Sequence, residues 1–477
     1  MKSLNRQTCN NTLYPERIIQ FGEGNFLRGF ADWIIQKMNE RIAFNSGVVV
    51  VQPLPNGMID TLNEQDGLYH VNLQGIDKNE KVDTVEMIDV VSRALNPYSH
   101  FEEYLQLAEC PDIQFVISNT TEAGIVFDPT CKFDDRPAKS YPGKLTQLLY
   151  RRYQTFKEDK NKGWIIFPCE LIFHNGRELK KCIDQYIELW KLDSRFREWL
   201  DETCSIHNTL VDRIVPGYPK DSVCEISARI NVDDKMLVKA EIFHLWVIEA
   251  SKSIEERFPA SQAGLNVLFV PNEQAYHERK VSLLNAPHTV LSPVAYLSGL
   301  DTVRECVEDP MLGVFVRKMV FEELIPTLDL PITEKEGFAN DVLIRFRNPF
   351  IKHFVKGIML NSFSKYKTRV LPRLKEYLIR EGHLPMRLVL GLAAIVIYYR
   401  GGKRGDDVIV PVDSRAVLTL LSELWTADSL EKVATGVLGA EFIWDEDLNK
   451  IPDLSRMLTS LLTFIQEKGM LSTVRAL

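Results

Sequence analysis

The sequence predicts an α/β protein in which a mainly parallel sheet forms the N-terminal part and a mostly α-helical part follows. Three observations carry this prediction. Short apolar segments alternate with helix-like segments in the first half of the chain, and a glycine-rich turn follows the first of them. From about Tyr276 onward helical spacing dominates and strand-like segments nearly disappear. Continuously apolar strands alternating with helices indicate a parallel sheet that is covered on both faces.

The parallel sheet is predicted from short apolar segments, several of them rich in β-branched residues. These segments are 17–21, 47–52, 113–118 and 164–168. Two others, Leu68 to Leu73 and Val82 to Val91, alternate apolar and polar residues, which indicates an antiparallel insertion. Between the first two strands, Phe26 to Arg41 carries apolar residues at helical spacing.

Helices of the second half are predicted where apolar residues recur at helical spacing, in 371–378, 417–424 and 454–465. The apolar run Leu388 to Tyr399 is too short to cross a bilayer, which takes about 20 residues, and predicts a buried helix. Val408 to Val412 is the remaining strand-like segment. The change of pattern near Pro271–Glu273 predicts two domains, 1–270 and 271–477.

The charge balance argues against a nucleic-acid partner. The 477 residues include 57 Lys and Arg against 65 Asp and Glu, a net charge of −8, whereas nucleic-acid binders usually carry a basic surface. The eight cysteines are scattered without a C-x-x-C pair, as in reduced cytosolic proteins. No apolar segment follows the first residues, so we expect no signal peptide, no membrane association and a cytoplasmic protein. The oligomeric state is left open, a monomer included.

The first strand and first helix are joined by the segment Gly22-Glu23-Gly24-Asn25-Phe26-Leu27-Arg28-Gly29. Glycines permit a sharp turn and the approach of a pyrophosphate, while the helix N-terminus supplies amide donors. The alternative is an ordinary strand-to-helix turn. The second strand ends in Gln52, whose amide can bind a ribose hydroxyl, and NAD is favoured over NADP. The expected cofactor-binding residues are Ile19, Gly22, Glu23, Gly24, Asn25, Phe26, Leu27, Arg28 and Gln52.

Lys280, Asn285 and His288 form a candidate catalytic group. On a straight α-helix His288 would lie about 80° and Asn285 about 140° around from Lys280, and Pro287 should kink the helix between Asn285 and His288. A lysine with a lowered pKa can exchange the hydroxyl proton of an alcohol, and an asparagine amide can donate to an oxyanion. The alternative, which spacing alone favours, is a surface lysine on a capped, kinked helix.

Residues 342–375 contain nine Lys and Arg and no Asp or Glu. Such a segment would attract an anionic substrate such as a sugar acid. A solvated basic surface is the alternative for most of the nine. No H-E-x-x-H motif occurs, and the nine histidines show no ligand spacing with cysteines, so we expect chemistry without a metal.

Several segments together are specific to one family. They are 14–28, 118–125, 209–215 with its Val-Asp-Arg, 280–288 with its K-x-x-x-x-N-x-x-H, and 345–349. With these segments the whole chain resembles the polyol-specific long-chain dehydrogenases, the mannitol dehydrogenase family. The resemblance implies a Rossmann-type N-terminal domain, a mostly α-helical C-terminal domain and an active site between them.

The resemblance also implies roles for residues. Lys280 would be the general acid/base, with Asn285 and His288 beside it. Asp212 would lie near the substrate or support Lys280, and an ion pair with Arg213 is the alternative. Lys365 and Lys356 are implied substrate-binding residues, although the substrate arginine of mannitol-oxidising relatives has no clear partner here.

One departure from the family concerns an oxyanion donor. Mannitol-oxidising relatives carry an asparagine ahead of a His-Asn-Gly motif, and Leu171 stands at that place, ahead of His174-Asn175-Gly176. Asn285 would then act alone, and Asn175 would only shape the turn.

Within the family, the resemblance favours the NAD-dependent interconversion of D-altronate and D-tagaturonate. The mannonate/fructuronate and mannitol/fructose pairs are the alternatives. A non-catalytic NAD-sensing protein of the same fold is the alternative from another class.

Overall fold

The computed structural model describes residues 2–9, 13–78, 80–120, 124–157 and 159–477. The chain forms two compact units, Met1–Glu273 and Gln274–Leu477. No helix within the described ranges is both long and apolar enough to cross a membrane. The predicted division into a dinucleotide-binding domain, 1–270, and a substrate domain, 271–477, stays a prediction.

The first unit is built around a six-stranded sheet in which every neighbouring pair of strands is parallel. In chain order its strands are Glu16–Phe21, Gly47–Val51, Val91–Leu95, Phe115–Ser118, Ile165–Pro168 and Ser205–Ile206. Numbered in that order they lie as 3-2-1-4-5-6, the strand order of a Rossmann-type sheet. The predicted parallel sheet is confirmed, and its order reverses between the first and fourth strands.

Burial on both faces explains why these strands are continuously apolar. Successive residues of a strand point to opposite faces. Val48 and Val50 accordingly belong to one buried cluster, and Val49 and Val51 belong to another. A polar residue at any of these four positions would therefore be buried in one of the two clusters.

Three smaller sheets complete the first unit. Tyr69–Asp77 and Glu80–Ile88 form the predicted antiparallel hairpin, and Val238–Glu241 adds a parallel third strand. The predicted strand Val82 to Val91 is wrong at its end, because the hairpin strand stops at Ile88 and Val91 begins a strand of the main sheet. The other two sheets are Thr209–Asp212 with Leu245–Glu249 and Val267–Val270, and Lys2–Ser3 with Val232–Asp233.

The helices of the first unit differ from prediction at one place. Phe26 to Arg41 forms two helices, because the backbone leaves helical geometry at Phe30, where φ is −130° and ψ is −76°. The α-helices are Arg6–Cys9, Asn25–Gly29, Ala31–Ile42, Ile59–Glu64, Phe101–Gln106, Tyr141–Phe156, Asn175–Leu189, Ser194–Thr203, Val223–Ile230 and Lys252–Arg257. Short 3₁₀ turns span Leu107–Glu109, Lys160–Lys162 and Ala260–Ala263.

The second unit is mostly helical, as predicted. Its α-helices are Gln274–Lys280, Ala286–Leu297, Val303–Glu308, Leu312–Lys318, Ile332–Phe346, Val355–Ile358, Ser362–Arg369, Leu371–Glu381, Met386–Tyr399, Arg415–Leu424, Leu430–Leu438, Glu441–Trp444, Leu454–Lys468 and Met470–Arg475. Val281–Asn285 and Met319–Leu324 are π-helical, and Ile325–Thr327 and Leu448–Lys450 are 3₁₀ turns. The strand predicted over 408–412 is shorter and earlier, Asp407–Ile409, and pairs with Gly402–Arg404.

The apolar helix Met386–Tyr399 is buried, as its composition predicted. Helix Ala286–Leu297 packs directly against it. The two helices approach closely at Gly391, where a Cβ would lie 2.7 Å from Cγ1 of Val290. The helix that carries His288 is therefore fixed to the core of the second unit.

The first strand ends in a tight turn at the point where the strand order reverses. Gly22 has φ +117°, and a Cβ there would lie 2.8 Å from the carbonyl oxygen of Asn119, the residue after the fourth strand. Gly24 differs, because it has φ −65° and nothing within 4 Å of its Cβ position. Gly22 is thus required by the fold, whereas Gly24 leaves open space beside the turn.

This difference predicts opposite outcomes for two alanine substitutions. Gly22→Ala forces a side chain into a strained φ and against a backbone oxygen, at a cost on the order of 1–3 kcal/mol. Gly24→Ala meets neither obstacle and should leave the melting temperature unchanged or slightly raised. Scanning calorimetry of both variants is the measurement. Equal melting temperatures for the two would contradict the geometry.

A buried carboxyl group lies beneath the same turn. Asp32 is fully buried; it accepts hydrogen bonds from the Tyr69 hydroxyl at 2.7 Å and from Gln20 Nε2 at 3.4 Å. Its other oxygen, Oδ1, has no partner among the described residues. Burial raises the pKa of Asp32 to about 6, and the hydrogen bonds from Tyr69 and Gln20 oppose the shift.

The raised pKa of Asp32 predicts a pH-dependent effect of Asp32→Asn. As the pH rises from about 4 to 6, the unfolded chain gives up this proton before the folded one does. The wild-type carboxyl therefore costs the folded state up to about 3 kcal/mol above pH 6 and little below pH 4. The variant should gain stability over wild type as the pH rises through this window. Melting temperatures from pH 4 to 7.5 test this, with the exposed Asp112→Asn as control, and a constant or shrinking difference would refute it.

Candidate active site

The turn after the first strand has the features that a dinucleotide requires. It lies where the strand order reverses, the usual place for a nucleotide in such sheets. The absent side chain of Gly22 lets the turn approach Asn119, and Gly24 and Asn25 are exposed beside open space. Gln52, at the end of the second strand, is buried with an Oε1 atom that has no hydrogen-bond partner among the described residues. A ribose hydroxyl would satisfy this acceptor.

Glu23 supplies a charge that the strand-end pattern did not reveal. Oε1 of Glu23 and Oε1 of Gln52 both lie 2.2 Å from the position that a Cβ on Gly57 would occupy, so the two oxygens are neighbours. Burial raises the pKa of Glu23, and backbone hydrogen bonds oppose this shift. A carboxylate beside the ribose position would repel a 2′-phosphate, and the site therefore fits NAD better than NADP.

The remaining predicted cofactor residues shape the turn from within. Ile19 and Leu27 are buried in the two cores, and Phe26 stacks on Phe30. Arg28 is buried and donates to the carbonyls of Glu23 and Met236 and to Oδ1 of Asn25. Its guanidinium therefore braces the turn.

The His-Asn-Gly segment is also structural at its centre. Asn175 is buried; its Nδ2 lies 3.0 Å from the carbonyl oxygens of Pro168, Glu170 and Thr209. Its Oδ1 accepts from the backbone N–H groups of Gly176 and Thr209. Asn175 thus ties the end of the fifth sheet strand to Thr209. Leu171, which stands where mannitol-oxidising relatives carry an asparagine, is 58% exposed.

Asp212 ends the strand Thr209–Asp212 and is buried. The neighbouring Arg213 donates to the carbonyls of Glu241 and Gly29, and its guanidinium lies 4.2 Å from the Trp33 ring centroid. Burial lowers the pKa of Arg213 to about 9. The role of Asp212 stays a prediction.

Lys280, Asn285 and His288 lie on one continuous helical segment with an unexpected geometry. The α-helix Gln274–Lys280 passes into the π-helix Val281–Asn285, and α-helical geometry resumes at Ala286. In the π turn the backbone N–H of Ala286 donates to the carbonyl of Val281, five residues earlier. The angles predicted for a straight α-helix are therefore wrong, as is the predicted place of the disturbance after Asn285.

The π turn changes which side chains stand together. Residues five apart in such a turn lie above one another, because its hydrogen bonds connect residues i and i+5. Asn285 therefore lies one π turn from Lys280 instead of about 140° around the axis. Both side chains are half-buried. π-Helical turns within α-helices occur frequently at functional sites.

His288 is a buried neutral imidazole with one nitrogen unused. Burial lowers the pKa of His288 well below its ordinary value, and His353, Arg345 and Arg369 lower it further. The ring hydrogen-bonds the backbone of Leu284, whereas Nε2 has no partner among the described residues. A backbone carbonyl accepts, so in a neutral ring Nε2 is left as an acceptor that a substrate hydroxyl could satisfy.

The two predicted substrate lysines have different partners in the structure. Lys356 forms an ion pair with Asp407 and lies over the Tyr296 ring. Lys365 is half-buried and donates to the carbonyl of Ile358 at 2.7 Å. Its helix, Ser362–Arg369, packs against both the π segment and helix Ala286–Leu297. The helix that carries Lys365 therefore lies beside the segments that carry Asn285 and His288.

Within the described ranges, no group of three or more His, Cys, Asp or Glu side chains could hold a metal ion. Residues Thr121 to Ala123, part of one family-specific segment, lie outside the described residues.

Comparison with known proteins places both units in one family. Residues 16–261 match the mannitol dehydrogenase Rossmann domain, and residues 272–466 match the mannitol dehydrogenase C-terminal domain. The chain is 60% identical to an altronate oxidoreductase of Bacteroides thetaiotaomicron over 478 residues, with 100% of both chains covered. It is 44% identical to an altronate oxidoreductase of Bacillus subtilis, covering 98% of this chain and 97% of the relative.

Solved structures share the fold. A D-sorbitol dehydrogenase in substrate-free form aligns with a TM-score of 0.84 at 22% identity, covering 99% of this chain and 100% of the other. The mannitol 2-dehydrogenase of Pseudomonas fluorescens, in complex with NAD and D-mannitol, aligns with a TM-score of 0.70 at 19% identity, covering 100% and 99%. The chain belongs to the mannitol dehydrogenase family.

Proposed function

We propose that this chain is an NAD-dependent altronate oxidoreductase that interconverts D-altronate and D-tagaturonate. The observation that carries the proposal is the 60% identity, over the whole of both chains, with a relative of that name. The reaction is D-altronate + NAD⁺ ⇌ D-tagaturonate + NADH + H⁺. In cells it would run toward altronate, during breakdown of galacturonate, and none of its steps uses a metal.

The residues of the first unit would hold the cofactor. Gly22 and Gly24 leave room for the pyrophosphate, and Gln52 with Glu23 meets the adenosine ribose. When bound, the nicotinamide supplies hydride to the keto carbon or accepts it from the alcohol carbon.

The residues of the second unit would transfer the proton and orient the substrate. In the direction of reduction, the ammonium of Lys280 donates a proton to the keto oxygen as that oxygen gains charge. The amide of Asn285, one π turn away, donates a hydrogen bond to the same oxygen. His288 accepts from a neighbouring substrate hydroxyl through Nε2 and fixes the sugar's orientation. In the direction of oxidation, neutral Lys280 takes the hydroxyl proton.

Replacing Lys280 should strongly lower turnover and leave cofactor binding intact. Lys280→Ala removes the acid/base, and Lys280→Arg keeps the charge but cannot exchange a proton near neutral pH. Both should lower kcat by about 10²–10⁴-fold. NADH affinity, measured by fluorescence titration, should match wild type. The exposed Lys468→Ala is the control, and full activity in either Lys280 variant would refute the assigned role.

A substrate panel separates the members of the family. With NADH, we expect kcat/KM to be highest for D-tagaturonate, below it for D-fructuronate, and lowest for D-fructose. Replacing NADH by NADPH should lower kcat/KM, because Glu23 opposes the 2′-phosphate. A preference for fructuronate or fructose would assign the sibling activity. NADH binding without turnover of any of the three would indicate a sensor.

A further inference from the structure

Arg369 differs from five other basic residues of the segment 342–375 in its partners, and from Arg347 and Lys352, which are exposed, in its burial. Lys356, Lys367 and Lys375 form ion pairs with Asp407, Asp445 and Glu446. Arg373 and Lys365 donate to the backbone carbonyls of Thr327 and Ile358. Arg369 is half-buried at the end of helix Ser362–Arg369, and its side chain has no hydrogen bond or ion pair with any described residue.

Burial without a counter-ion is unfavourable for a guanidinium. Burial lowers the pKa of Arg369, and no carboxylate of the described residues opposes this shift. The C-terminal position in its helix offers a favourable dipole, worth about 0.3–1 kcal/mol at exposed sites, which is small beside the cost of removing a charge from water. A bound anion would remove this cost.

The surroundings of Arg369 are positively charged and face the proposed catalytic segment. Helix Ser362–Arg369 packs against both the π segment Val281–Asn285 and helix Ala286–Leu297. In agreement with this packing, the charge of Arg369 lowers the pKa of His288 and of Lys365. The acidic group that acts on Lys365 is Asp413. Asp413 already accepts from the Tyr399 hydroxyl at 2.6 Å and from the backbone of Ser414 at 2.7 Å.

We propose that Arg369 binds the carboxylate of the sugar-acid substrate through a paired hydrogen bond, with Lys365 beside it. The planar guanidinium presents two parallel N–H donors that match the two carboxylate oxygens. The proposal rests on the proposed function and names the residue that selects a sugar acid over a neutral sugar. With the carboxylate on Arg369 and a hydroxyl on His288 Nε2, both unsatisfied groups gain partners.

The test compares charged and neutral ligands on Arg369→Gln. In wild type, calorimetric titration in the presence of NADH should show D-altronate binding more tightly than altritol, which carries CH₂OH in place of the carboxylate. In the variant, altronate affinity should fall on the order of 10–100-fold, whereas altritol affinity should hold. KM for D-tagaturonate should rise by a similar factor while kcat changes much less. Millimolar guanidinium should partly restore Arg369→Ala.

Lys367→Gln is the matched control, because Lys367 lies two residues away on the same helix and already pairs with Asp445. It should leave the altronate-to-altritol ratio unchanged. Wild-type affinity for altronate in Arg369→Gln, or an equal loss for both ligands, would overturn the proposal and leave the reaction standing. Wild-type protein that neither prefers altronate nor reduces tagaturonate would overturn the proposed function as well.

Discussion

The positions of Lys280, Asn285 and His288 relative to one another depend on Pro287. Proline lacks a backbone N–H, and inside an α-helix its ring collides with the carbonyl four residues earlier, that of Leu283. The helix accommodates it by opening one π turn over Val281–Asn285 before α-helical geometry resumes at Ala286. The extra residue in that turn moves Asn285 toward the side of Lys280, and the Leu284 backbone becomes a partner for the His288 ring.

Hydrogen bonding distinguishes Asn175 and Arg28 from Gln52 and His288, the residues proposed to contact ligands. Asn175 is buried with both ends of its amide engaged, and Arg28 donates to Glu23 and Asn25 in the turn and to the carbonyl of Met236. Gln52 and His288 each retain a buried atom without a partner among the described residues. Native proteins rarely leave such groups unpaired. An unpaired atom does not identify a ligand site by itself, since Oδ1 of Asp32 is also without a described partner. Gln52 and His288 are proposed as ligand contacts because they also lie at the proposed cofactor and catalytic positions.

Much of the fold could be predicted from the sequence, because a strand that is buried on both faces is continuously apolar and can be recognised by itself. Features that depend on residues distant in the chain could not be predicted from the sequence. Phe30 breaks its helix at a position where the apolar spacing continues, and Val91 leaves the hairpin for another sheet within one apolar run. The resemblance predicted Lys280, Asn285 and His288 as the catalytic group, whereas spacing alone favoured a surface lysine. Their geometry could not be predicted, because no residue pattern in the sequence indicated the π turn.

Arg369 could not be distinguished by sequence from the other eight Lys and Arg of the segment 342–375, because the partners of these residues lie far away in the chain. A charge run shows how many cations a segment has, and only the folded chain shows which carboxylates already neutralise them. The net charge of −8 has little influence on the binding of an anionic substrate, because charges more than about 10 Å away from it are largely screened in physiological salt. A neutral polyol and a sugar acid differ at one terminal group, so the difference must be recognised by a cation that the protein itself leaves unpaired. Lys356, with Asp407 as its partner, does not meet that condition, whereas Arg369 has no ion pair or hydrogen bond with the described residues and is the cation that we propose.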